Sequence, residues 1–167
     1  AADGNWEPRE LPSLIAESSR LPTIVYVHGN RTESDSVYAQ GAAYYDLLAA
    51  TNPPPFRLVL WSWPSQQQLR GLRDLRLKAY RSDSEAWYLA QLIARWDEQA
   101  PLSLIGYSYG GRVVTGALHL LAGGTWDSRP LIPTPPASGR PIRAALIAPA
   151  VHYDWIAPQA HLGRAIE

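Results

Sequence analysis

Apolar positions fall into short unbroken runs and longer amphipathic stretches, and the two kinds alternate along the chain. The first run, Thr23-Ile24-Val25-Tyr26-Val27, ends in His28-Gly29-Asn30. Five apolar or β-branched residues without alternation predict a strand buried on both faces, as in a parallel sheet. A polar loop over 31–36 leads into an expected helix over 37–50, with Ser34, Asp35 or Ser36 as its cap. Thr51-Asn52-Pro53-Pro54-Pro55 stops that helix. A second strand is expected over 57–63, closed by Pro64-Ser65. From 66 to 99 the period is helical, in two pieces. The first covers about 69–80; the second begins at Ser82, with Glu85 completing a capping box. Its apolar stripe is Leu89, Leu92, Ile93 and Trp96. Pro101 leads into a third strand, Ser103-Leu104-Ile105. A helix over 113–121 follows and stops at Gly123-Gly124. The proline-rich stretch 129–141 reads as a surface loop, because a fourth strand follows over 142–147. Polar residues 1–20 hold a short helix near 12–19. Residues after 150 read as loop and part of a helix.

Four apolar strands separated by helices predict βαβ units. The expected fold class is α/β: a mostly parallel sheet with helices on both faces, in a single domain over 1–167. No internal repeat is present. In such sheets ligands bind at the carboxyl ends of the strands, and two motifs fall there. One is His28-Gly29-Asn30. The other is Gly106-Tyr107-Ser108-Tyr109-Gly110, a G-x-S-x-G pattern between strand and helix. A strand that turns sharply into a helix lifts the Ser108 side chain out of the sheet on a strained backbone. Strand and helix crowd each other there, so the positions two before and two after the serine must be small; Gly106 and Gly110 meet that requirement.

Composition narrows the chemistry. Hydrophobic residues make up 46% of the chain, enough for a packed core rather than a disordered chain. Lys plus Arg and Asp plus Glu both number 15, so the chain has no general attraction to nucleic acid or anionic lipid. The absence of cysteine excludes disulfides, thiol catalysis and thiolate metal sites. No run of 18 apolar residues suggests a membrane span. No metal-ligand spacing and no phosphate-cradling Gly-Lys-Ser/Thr loop appears. The sequence contains no methionine, so a fragment or a processed form is expected.

With the first strand ending in His28-Gly29-Asn30 and the third in Gly106-Tyr107-Ser108-Tyr109-Gly110-Gly111, the chain resembles the α/β-hydrolase superfamily over about 23–150. The resemblance is to the serine hydrolase branch, and the Trp63-Pro64-Ser65 end of the second strand is similar to poorly characterised bacterial-type members. It implies an esterase- or lipase-like enzyme acting through an acyl intermediate on Ser108, with a small acyl compound as substrate and no cofactor or metal. The oxyanion would be held by the backbone N–H of Tyr109, at a helix N-terminus, and of Asn30. Gly29 would let that loop turn tightly, and His28 would organise it. In this superfamily an acid and then a histidine follow the nucleophile. Only one strand follows the helix after Ser108, so the resemblance implies a sheet truncated after that strand, with the remainder of the triad missing or differently sourced. Asp154, after that strand, is the candidate acid; Asp127 precedes it and falls at the wrong end. His152 and His161 follow the same strand and are alternatives for the base, whereas His119, eleven positions past Ser108, is a packing or surface residue. The Arg70–Arg81 cluster reads as a solvated face. Trp63 and Tyr109 are expected near the mouth of the site. The runner-up function is a non-catalytic binding module of the same fold, and a third reading is a structural fragment that needs further sequence to complete the sheet.

Overall fold

The computed structural model describes residues 6–17, 21–125 and 141–167. A short helix α1 (Leu11–Ala16) precedes β1 (Thr23–Val27), α2 (Ser34–Ala49), β2 (Arg57–Trp61), α3 (Leu72–Ala94), β3 (Leu102–Tyr107), α4 (Tyr109–Leu121) and β4 (Arg143–Ile147). A 3-10 turn over Gly163–Ile166 closes the chain. The four strands form one parallel sheet in the order β2-β1-β3-β4. Register places Val27 beside Trp61 and Gly106, and Tyr107 beside Ile147. All four strands therefore end on one edge, where His28, Ser62, Ser108 and Ala148 begin the connections.

Period-two geometry sorts β1 between two layers. Val25 and Val27 face the main core with Leu104, Leu89, Leu92, Ile93, Val113 and Leu120, all essentially inaccessible. This is the α3 and α4 side of the sheet. Tyr26 points the other way, its ring 4.5 Å from that of Tyr44 on α2 and its hydroxyl donating to Gln40. Helices thus cover both faces. Removing a Leu- or Val-sized side chain from water stabilises by about 1.5–3 kcal/mol, which makes the α3–α4 side the principal source of cohesion.

Several local expectations are corrected. The stretch over 69–99 is not two helices: α3 runs unbroken from Leu72 to Ala94. Ser82 lies inside it, fully buried, its hydroxyl donating to the Ala79 carbonyl. Glu85 turns outward to β2 and accepts from the Trp61 indole N–H at 2.9 Å. The two halves of the apparent capping box are thus taken separately, Ser82 by a carbonyl of its own helix and Glu85 by an indole on β2. The expected caps of α2 lie within the helix, which starts at Ser34 with Glu33 at its N-cap and no side-chain cap bond. The second strand ends at Trp61 rather than 63 because His28 takes the Trp63 backbone. Helix α4 begins at Tyr109, four residues early, since Gly110 and Gly111 are where helix meets strand. The fourth strand is exposed along all five residues. Asp127 and all but the end of the stretch 129–141 lie outside the described residues.

Candidate functional site

Ser108 joins β3 to α4 with φ 53° and ψ −118°, a conformation that L-residues avoid and that costs about 1–3 kcal/mol. Close packing enforces it. A Cβ at Gly110 would lie 2.0 Å from the Val27 carbonyl oxygen, and one at Gly106 would lie 2.6 Å from the Gly111 Cα. Two backbone hydrogen bonds then hold the serine from the side of β4. The Ser108 N–H donates to the Ile147 carbonyl at 3.0 Å, and the Ala150 N–H donates to the Ser108 carbonyl at 2.8 Å. The half-buried Ser108 side chain is left outside this bracing.

The loop after β1 lies against the serine. A Cβ at Gly29 would stand 3.1 Å from the Ser108 Cβ and 3.0 Å from the Tyr107 ring. Glycine is needed for that close approach, not for a tight turn: the residue with positive φ in this loop is Arg31, at 55°. His28 is buried and does not reach toward Ser108. Its Nδ1–H donates to the Gly29 carbonyl at 2.9 Å, and its Nε2 accepts from the Trp63 backbone N–H at 3.1 Å. The Trp63 indole N–H donates back to the His28 carbonyl at 2.8 Å, and the two rings stack. Burial holds His28 below the usual histidine range, so the ring is a neutral structural clasp. Trp63 is consequently in the core, not at a mouth.

Tyr109, the first residue of α4, has a backbone N–H without an intrahelical acceptor, and its phenol donates to the Leu75 carbonyl on α3. Asn30 sits between the clasped His28 and Arg31, whose N–H is shared between the Asn30 side-chain oxygen and the Ser65 carbonyl, both at 2.9 Å. Asp154 lies after β4 and accepts from His152 Nδ1 at 2.5 Å, with both side chains more than half exposed. Among the described residues the Ser108 hydroxyl hydrogen-bonds to neither of them. His119 packs beneath Gly124 and accepts from the Arg164 N–H, far from any chemistry. Arg70, Arg73 and Arg76 are exposed. No cluster able to hold a metal ion occurs among the described residues, and none of their helices is long and apolar enough to cross a membrane. A concavity of about 1290 Å³ runs along β2, lined by Trp6, Tyr45, Phe56 and Trp61 among others; it includes neither Ser108 nor Asn30.

Residues 7–158 match a family described as alpha/beta hydrolase of unknown function (DUF900). The chain belongs to that α/β-hydrolase family. Neither a curated protein nor a solved structure matches it. In this α/β-hydrolase the fold sets Gly29 of the His28-Gly29-Asn30 loop beside Ser108, two features that sequence reasoning singled out; it passed over the element behind that loop. Behind the Asn30 loop stands Ser65, fully buried, and behind Ser65 stand Asp74, Lys78 and Arg81 of α3. Asp74 accepts the Gln68 and Leu69 N–H groups, which keep its carboxyl below the usual range; Lys78 donates to the Gln66 carbonyl. The available signal was position: Trp63-Pro64-Ser65 follows a strand at the edge where the other motifs gather.

Proposed function

We propose that this α/β-hydrolase is a serine hydrolase of the esterase or lipase type. Ser108 is the nucleophile. Its Oγ forms a bond to the acyl carbon as its proton passes to a base, the alcohol or other leaving group departs with a proton, and water then releases the acid from the acyl-enzyme. In the tetrahedral intermediate the oxyanion is held by the Tyr109 and Asn30 N–H groups, with the α4 N-terminus adding a favourable dipole. Asp154 is the proposed acid. Its bond to Nδ1 of His152 is of the kind that fixes an imidazole tautomer and leaves Nε2 to take a proton.

One observation carries this reading: a serine at φ 53° on a strand-to-helix turn, with the Gly29–Asn30 loop packed against its Cβ. The test is labelling with a fluorophosphonate probe. Labelling is expected in the wild type and lost in Ser108→Ala. An unlabelled, folded wild type sinks the proposal. A non-catalytic binding module of the same fold is the second reading. It is favoured by the missing hydrogen bond between the Ser108 hydroxyl and the exposed His152–Asp154 pair, and labelling of the wild type but not of His152→Ala would decide against it.

A further inference from the structure

The backbone around Asn30 is tied on both sides, and the tie on its far side is a single residue. The Ser65 carbonyl accepts the Arg31 N–H at 2.9 Å. The Ser65 hydroxyl accepts the Thr32 N–H at 3.2 Å and donates to the Thr32 carbonyl at 3.1 Å. Three backbone groups of two successive residues thus end on Ser65, which has no solvent exposure. A hydroxyl suits this position because one atom both donates and accepts. Alanine would leave the Thr32 N–H and C=O buried without partners.

Arg31 shows why an anchor is needed. It is not glycine, yet it is held at φ 55°, a conformation that persists only where the surroundings over-determine it. Ser65 itself is placed by α3: Arg81 donates to the Pro64 carbonyl, Lys78 to the Gln66 carbonyl, and Asp74 accepts from Gln68 and Leu69. Lys78 and Asp74 are both fully buried. On the other side of Asn30, the His28–Trp63 clasp fixes the loop to the same turn. The loop is thus tied on both sides of Asn30, with Gly29 against the Ser108 Cβ.

We propose that Ser65 is a positioning residue. It locks the Arg31–Thr32 backbone so that the Asn30 N–H stays aimed at the oxyanion formed on Ser108. This rests on the reading of Ser108 as nucleophile. Ser65 does not touch substrate; it acts through the loop.

The test compares wild type, Ser65→Ala and Ser65→Thr in the full chain, using fluorophosphonate labelling, p-nitrophenyl acetate hydrolysis and amide hydrogen exchange. In Ser65→Ala, labelling and kcat are expected to fall roughly tenfold to a hundredfold, the range below full loss of one oxyanion donor. KM should be unchanged, and exchange should quicken at Arg31 and Thr32 while β1 stays protected. Ser65→Thr keeps the hydroxyl and is expected to restore both labelling and protection. Should Ser65→Ala not fold, Ser65→Cys, with a weak thiol donor and acceptor of similar size, gives the same reading at smaller amplitude. Wild-type labelling in Ser65→Ala overturns the proposal, as does a loss of labelling with exchange at Arg31 and Thr32 unchanged. An unlabelled wild type whose Arg31 and Thr32 amides open in Ser65→Ala overturns the nucleophile reading instead and leaves Ser65 as the anchor of the loop. If wild type is unlabelled and exchange is unchanged, both fall.

Discussion

Gly110 and His28 show how single positions fix the serine turn. An alanine at 110 would drive its methyl to 2.0 Å from the Val27 carbonyl, and neither side of that contact is a flexible side chain. Gly110→Ala is therefore expected to destabilise by about 3 kcal/mol or more, the upper range of core overpacking, measured by urea unfolding. His28 acts through hydrogen bonds. His28→Ala would remove the acceptor for the buried Trp63 N–H and is expected to cost about 1–3 kcal/mol in the same measurement. The ring also predicts a pH dependence. Burial lowers its folded-state affinity for a proton, so the unfolded chain binds more protons below its ordinary value near about 6.5. Stability is fully present above that pH and is lost as pH falls through the window down to the depressed folded value. His119 is lowered by burial as well and adds in the same direction. Unfolding followed between pH 7.5 and 5 should show this loss, with a shallower slope in His28→Gln; an equal slope would remove His28 as a source.

At the scale of elements, what the sequence disclosed depended on how far away each residue's partner lay. β1 was legible because burial on both faces leaves an unbroken apolar run, and Gly106-Tyr107-Ser108-Tyr109-Gly110 was legible because its crowding is local; β4 carries such a run although all five of its residues are exposed. The Ser82–Glu85 pair misled. Its spacing matches a cap, but the deciding partners are the Ala79 carbonyl within the same helix and the Trp61 indole on β2. Ser65 escaped notice for a related reason, since the backbone that it holds lies 33 residues earlier. Glu85 thus works as a tether between α3 and β2, its carboxyl raised above the usual range by burial. Glu85→Ala is expected to destabilise by about 1–3 kcal/mol through the unpaired Trp61 N–H, whereas Glu85→Gln, which keeps an acceptor, should lose less. Equal losses would mean that the hydrogen bond contributes nothing beyond side-chain packing.

Across the whole molecule the sheet is asymmetric. Its α3–α4 side is packed around β1 and β3, while β4 leaves every residue exposed, with Leu146 and Ile147 each 38% accessible. An exposed apolar edge strand is a template for pairing with another chain. The described chain is expected to self-associate at high concentration, and Leu146→Lys should reduce this in sedimentation velocity with stability changed by less than about 0.5 kcal/mol, as for other exposed positions. Association unaffected by that charge would move the contact elsewhere. The same strand supplies the Ile147 carbonyl and Ala150 N–H that grip Ser108, and this has a bearing on the order of events during synthesis. The serine emerges some forty residues before its braces, a delay of roughly 2–8 s at about 5–20 residues per second. Over that interval the nascent chain carries the crowded glycine turn without these two hydrogen bonds. Ser108 can be gripped from the β4 side only once translation has passed Ala150, so the last restraint on this turn is timed by the ribosome as much as by the fold.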